Sequence, residues 1–337
     1  MQKKNPAKRR PERLVVTLLS LLFLSTAVFA TVKYVFRAPE LDTDKPVVTP
    51  DGTASTDVDR TGTDEPDALG RTRRKYCYNI LVSGLDDDNG GSDTNILVRF
   101  DVPNKRIDLV SLPRDTLLHN EYRNNKLNFA YAKGGTELLM EQIENLLGIP
   151  VDFYVTVNLK GFIALVDQID GVDFDIPINM DYDDPYQDLH IHFTKGPRHL
   201  NGQEAMEVVR FRHNNDGTGY GTEDIGRIGT QQAFLKAVAK QLLQIGNVKN
   251  IPALVDIFYT YVKTHLTTGN LVWLGNDALN IGTENIHFDT LPGDGSGYYI
   301  KQSVYVLDAQ ATCDLVNEAL NPYNEALTLE DMDILVP

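Results

Sequence analysis

The chain has 337 residues, 42% hydrophobic and 23% charged, which excludes a disordered, collagen-like or coiled-coil protein. Its net charge of −15 is unevenly spread: residues 1–37 hold eight Lys/Arg against one acid, and residues 38–337 hold 24 against 46. A body that acidic is a poor general binder of nucleic acid, and two cysteines, Cys77 and Cys313, are too few for a disulfide framework.

Residues 1–13 carry six of the basic side chains, and residues 14–36 are mostly apolar. About 20 apolar residues span a bilayer, so this run is long enough for an anchor. The positive charge before it predicts a cytoplasmic N-terminus, a single-pass anchor and an extracellular body on the cell membrane. Cleavage as a signal peptide near Ala30 is the competing reading, but the apolar run continues beyond that point. Residues 37–75, rich in Pro, Gly, Asp and Thr, read as a disordered extracellular linker. The folded domain is expected over residues 76–320, with a tail at 321–337.

Strands are predicted at 76–83, 95–101 and 106–112, with a turn at Pro103-Asn104. A helix is predicted over 136–147, closed by Gly148 and Pro150. A strand at 153–158, a helix at 161–169 and a strand at 172–175 follow. Asn201 is placed to cap a helix that runs to about Val209. Phe234, Leu235, Val238, Leu242 and Ile245 recur at helical spacing. Helices at 251–262 and 271–279, a strand at 286–291 and a helix at 308–320 complete the pattern. Intermixed strands and helices predict an α/β domain, a central mixed β-sheet flanked by helices.

Three clusters carry candidate chemistry. The first, Ser83 to Asp88 with Ser92-Asp93-Thr94, puts carboxylates and hydroxyls at strand ends, which reads as a solvated acidic turn or as ligands for a hard divalent cation. The second is Arg114-Asp115 after the third strand. The third is Arg210-Phe211-Arg212-His213 with Asp224, Arg227 and Gln231. Alternation puts Arg210 and Arg212 on one side of an extended segment, and Arg227 and Gln231 on one helix face. Forked and amide donors converging on one place suit a pyrophosphate. Asp181, Asp183 and Asp184 read as a solvated loop. His190, His192, His199 and His213 have no zinc spacing. Cys77 and Cys313 read as buried thiols rather than a disulfide.

Taken together, the segments LVSGLDDDNGGSDTNILVRFD, DLVSLPRDTLL, KLNFAYAKGG, KGPRHLNGQEAMEVVRFRH and EDIGRIGTQQAFLKA resemble the LytR-CpsA-Psr (LCP) family of bacterial envelope phosphotransferases. The resemblance implies one LCP-type domain with an apolar lipid tunnel, walled in part by the helix from Phe234. It implies transfer of a teichoic acid or capsular polysaccharide from undecaprenyl pyrophosphate, a polyprenyl pyrophosphate, to peptidoglycan, with Mg²⁺ or Mn²⁺ as cofactor. Carried over residue by residue, Asp86 and Asp93 match the metal positions. Arg114, Arg210, Arg212, Arg227 and Gln231 match the pyrophosphate grip. Asp93 or Asp224 would take the acceptor's proton, and Arg114 would act beside it. Two departures stand out: Asp88 and Thr230 occupy positions where the family often has arginine. They leave open a non-catalytic polyprenyl-phosphate-binding module or a metal-dependent lipid pyrophosphatase.

Overall fold

The computed structural model describes residues 37–41, 47–48, 54–55, 66–67, 69–85, 91–120, 122, 124–186, 188–220, 223–244 and 257–336. The expected anchor at 14–36 lies outside them. Among the described residues, no helix is long and apolar enough to cross a membrane. The chain divides into two units, residues 1–39 with 267–276, and residues 40–266 with 277–337. In the smaller unit, the Asn270 side chain donates to the Arg37 carbonyl at 3.0 Å and accepts from the Thr267 hydroxyl at 2.6 Å. Everything below concerns the larger unit.

Its centre is a six-stranded mixed sheet built from β1 (Cys77–Leu85), β2 (Ser92–Asp101), β3 (Arg106–Leu112), β4 (Phe153–Asn158), β9 (Val262–Thr264) and β10 (Ile286–Thr290). The order is β9-β4-β1-β2-β3-β10. β1 runs parallel to β4 and β3 parallel to β10, while the β1–β2 and β2–β3 pairs are antiparallel. One face buries Leu81, Leu97, Val110 and Leu112 against helices α1 (Leu127–Leu147) and α6 (Ala309–Ala319). Period-2 alternation turns Val82 and Ile96 to the other face. There α2 (Leu159–Gln168), α3 (Gly202–Arg210) and α4 (Glu223–Gln244) lie. A second core joins these helices to two small two-stranded ribbons. β5 (Val172–Ile176) pairs with β8 (Gly196–Leu200), and β6 (Met180–Asp184) with β7 (Leu189–Phe193). A last hairpin, β11 (Gly293–Tyr299) with β12 (Gln302–Leu307), stands beside β3 and α6.

Local signals explain the helix ends. Asn201 caps α3 through a capping box with Glu204, and Asp308 caps α6. Gly148 closes α1 at φ 66, where a Cβ would collide with the Asp331 carbonyl. α1 begins nine residues before the predicted Thr136, because Gly135 at φ 69 kinks it and hides its first half from the periodicity.

Four expectations are corrected. Residues 66–75 were assigned to the linker, yet Arg73 is buried in an ion pair with Asp152 and pairs through its backbone with Tyr323. Residues 321–337 were assigned to a tail, yet Tyr323, Leu327 and Met332 are in the core. The predicted helix 251–262 ends at residue 261, and Val262 instead starts β9, paired to β4. Asp181, Asp183 and Asp184 lie in a strand, not a loop, because His192 and His190 across the hairpin pair with Asp181 at 2.8 Å and Asp183 at 2.5 Å. Cys77 and Cys313 are both buried and free. Burial pushes the Cys77 thiol up to about 11.

Candidate functional site

The site forms where β1, β2, α3 and α4 meet. β2 carries a bulge at this end: Gly84 pairs with Thr94 and Leu85 with Ser92, so Asp93 is the unpaired extra residue. A bulge re-aims a side chain out of the ladder. The Asp93 carboxylate accepts from Arg114 Nη1 at 2.6 Å. Arg114 lies on the loop after β3, where its neighbour Asp115 is held by Lys126 at 3.2 Å.

Arg210 is the last residue of α3, and Phe211 caps the helix. The extended segment expected here is therefore replaced by a helix end. Phe211 is fully buried against Tyr220, ring centroids 5.7 Å apart, and this anchor fixes the arginines on either side of it. Arg210, Arg212, His213, Asp93, Arg114 and Gln231 all line one cavity of about 440 Å³. His213 and Tyr182 pack edge to face at 5.6 Å in its wall. Neither residue was singled out from sequence for this role, although His213 stands inside the Arg-Phe-Arg-His run.

A second cavity, about 130 Å³, shares Gly84, Thr94, Arg210 and Gln231 with the first. Beyond that shared mouth its walls are apolar: Val82, Ile96, Phe162, Met206, Phe234 and Leu235. Phe234 is fully buried and closes the far end against Phe162 and Phe174, at centroid distances of 5.9 and 5.3 Å. Phe234 and Leu235 of α4 form one wall, as the resemblance implies. The arrangement suits a ligand with an anionic head and an apolar tail.

Gln231 hydrogen-bonds the Val209 carbonyl at 3.2 Å, tying α4 to α3 at the mouth. Thr230 turns inward, its hydroxyl donating to the Gly226 carbonyl at 3.0 Å. Asp224 and Arg227 lie on α4, their side chains outside the described part; Asp86 and Asp88 are outside it altogether. Among the described residues, no three His, Cys, Asp or Glu side chains are grouped to hold a metal. Asp93 is the described carboxylate that lines the cleft beside Thr94, and Mg²⁺ uses one or two carboxylates together with phosphate oxygens.

A mixed sheet with an arginine-lined cleft beside an apolar pocket defines the candidate site of this α/β domain. The chain belongs to the LytR_cpsA_psr family, whose model matches residues 48–321. It is 32% identical to the polyisoprenyl-teichoic acid–peptidoglycan teichoic acid transferase TagV of Bacillus subtilis, over 71% of this chain and 62% of that protein. It is 31% identical to the like-named transferase TagU of Bacillus cereus, over 78% of this chain and 83% of that one. The chain thus spans less than two thirds of TagV's length. The crystal structure of B. subtilis TagV superposes with a TM-score of 0.62 and 26% identity, over 78% of this chain and all of that chain.

Proposed function

We propose that this protein transfers a glycopolymer, of teichoic acid or capsular polysaccharide type, from a polyprenyl pyrophosphate carrier to peptidoglycan. The observation that carries the reading is the shared mouth of the two cavities. Arg210 and Gln231 line both the charged cleft and the apolar pocket, so one ligand can place a pyrophosphate and a hydrocarbon tail there together. Family membership and the two named transferases support it.

The chemistry follows from the residues. Arg114, Arg210 and Arg212, joined by Arg227, neutralise the pyrophosphate. Phosphoryl transfer depends mostly on such positioning and charge compensation. The acceptor hydroxyl oxygen bonds to the phosphorus that bears the glycan, and the bridging P–O bond breaks. The bridging oxygen leaves as polyprenyl monophosphate, and the hydroxyl proton goes to a carboxylate. Asp93 is taken for that role because it lines the cleft, whereas the Asp224 side chain lies outside the described part. Mg²⁺ held by Asp93 and Asp86 would supply further charge neutralisation on the phosphates. Residues 14–36 would anchor the domain at the outer face of the cell membrane, where both substrates are found.

The test uses purified full chain, a polyprenyl-pyrophosphate-linked glycan and peptidoglycan. Arg210→Ala and Arg114→Ala should each cut transfer about a hundredfold or more while the fold persists. Undiminished transfer by both variants refutes the assignment. Release of lipid monophosphate with no acceptor present would identify a pyrophosphatase instead, and donor binding without turnover a binding module.

A further inference from the structure

A third cavity lies on the opposite side of strand β2 from the apolar pocket. It is smaller than the cleft, about 60 Å³ against about 440 Å³, and Asp93, Thr94, Arg114 and Gln231 line both. The apolar pocket rests on β4, β1 and β2, whereas this cavity rests on β2, the loop after β3 and the hairpin β11–β12. Its distinctive lining sets the polar side chains Asn95, Ser111, Asp115, Ser303 and Tyr305 beside Leu112, Pro113 and Val304.

The hairpin is fastened to the site. Tyr305 N–H donates to the Asp115 carbonyl at 2.8 Å, and Leu117 N–H to the Tyr305 carbonyl at 2.9 Å. A bulge between Asp294 and Gly297 breaks the ladder beside Gly295. The Asp294 carboxylate holds that bulge by accepting from Ser296 N–H and Oγ, at 2.8 and 2.7 Å. Ser303 and Tyr305, two apart on β12, share a face. Tyr298 is paired directly opposite Ser303, so its ring stands on that same face. It is 70% exposed and, though it does not itself line the cavity, it stands next to Ser303, which does.

We infer that this cavity is the acceptor subsite, which binds a sugar ring of the glycan strand with Tyr298 as its stacking platform and Ser303 and Asp115 as its polar contacts. The inference rests on the transferase reading above. In-line displacement requires the attacking oxygen to approach phosphorus opposite the leaving oxygen. With the polyprenyl phosphate leaving on the apolar-pocket side of β2, the acceptor must enter on the hairpin side. The hydroxyl then meets the phosphorus beside Asp93 and Arg114, the residues common to the cleft and this cavity. Aromatic faces stack on the C–H faces of sugar rings, and hydroxyl and carboxylate groups satisfy the ring's polar edge.

The experiment measures binding and transfer separately, on the full chain in detergent micelles. The probe is a soluble tetrasaccharide of alternating N-acetylglucosamine and N-acetylmuramic acid. Tyr298→Ala should weaken its binding about tenfold. Ser303→Trp, at an exposed position, should fill the cavity and abolish it. Polyprenyl pyrophosphate should bind both variants as it binds the parent. Tetrasaccharide affinity unchanged in both variants, or no tetrasaccharide binding by the parent, overturns the inference even if the parent transfers glycan. Weakened binding in the variants with no transfer by the parent would leave the glycan site standing and refute the transferase reading.

Discussion

Replacing Asp93 by Asn tests a carboxylate that pairs with Arg114 and, in the proposed transfer, takes the acceptor's proton and helps to hold Mg²⁺. Its ion pair with Arg114 is short, 2.6 Å, but the side chains are 40% and 27% exposed. Screened pairs of that kind contribute at most about 1 kcal/mol. The variant should therefore melt within roughly 2–4 °C of the parent. The same pair competes with substrate for Arg114. Removing the negative charge releases the guanidinium toward an incoming phosphate, so in a chelator, with no divalent cation to lose, donor affinity should rise by up to about fivefold. Turnover should move the other way. Loss of the proton acceptor should lower transfer by about a hundredfold or more, since positioned acid–base groups contribute at least that. Calorimetric melting, donor binding by fluorescence in EDTA, and transfer in Mg²⁺ give the three readings. Transfer within threefold of the parent, or weaker donor binding in EDTA, would refute this account of Asp93.

The remaining outcomes concern the scaffold. Arg73→Met should cost about 3–5 kcal/mol, because Asp152 would be left charged and buried; thermal melting checks this, and a double change with Asp152→Leu should recover much of the loss. Gly202→Ala should destabilise by about 1–3 kcal/mol, since its Cβ would press on the Ile163 carbonyl where α3 crosses α2; chemical denaturation reads it. The β6–β7 hairpin should be pH-sensitive. Hydrogen bonds to Asp183 and Asp181 raise His190 and His192 above the ordinary 6.5, so their contribution is complete below that value and fades as pH rises through the raised ones. The hydrogen bond from His190 lowers Asp183 below its ordinary 3.8, so its contribution is complete above 3.8 and fades on acidification through the lowered value. Amide protection factors in β6 and β7 should therefore be higher at pH 5 than at pH 8, and Asp183→Asn should flatten the difference.

What could be read from the chain depended on whether the signal was local. Asn201 with Glu204 and Gly148 with Pro150 announce helix ends by their own chemistry, and both ends stand where expected. The branched runs of β1, β2 and β3 read as strands for the same reason. The hairpins did not. β6 is Met-Asp-Tyr-Asp-Asp, a poor strand by propensity, and its pairing depends on histidines that arrive only on β7 and on Asn214 and Asn215, whose side chains accept from its N–H groups. β11, Gly-Asp-Gly-Ser-Gly-Tyr-Tyr, reads as a loop until β12 lies beside it. The bulge at Asp93 is legible only once the register with β1 is known, yet it is what turns that carboxylate to Arg114. The arginine cluster was legible as composition, because few cations serve a large acidic body. The helix end that presents Arg210 was not, since alternation and a helix terminus place those two side chains almost alike.

The arginines sort by how their charge is held, and the sorting says which of them a phosphate could recruit in an acidic domain. Arg73, Arg99 and Arg106 are committed: their partners Asp152 and Asp108 have at most 2% of the side chain exposed. Breaking such a pair strands a buried charge and costs about 3–5 kcal/mol, so no phosphate can compete for it. Arg114 is engaged too, but with a half-exposed Asp93, and exchanging that partner for a phosphate costs at most about 1 kcal/mol. Burial of the partner carboxylate, rather than the presence of a partner, therefore separates an arginine that a phosphate cannot recruit from one that it can. The same criterion says where added charge would help. Thr230 is 6% exposed and turned into its own helix, so an arginine there would have to displace packing before it reached the cleft. Arg114, Arg210 and Arg212 line the cleft without a cation at position 230.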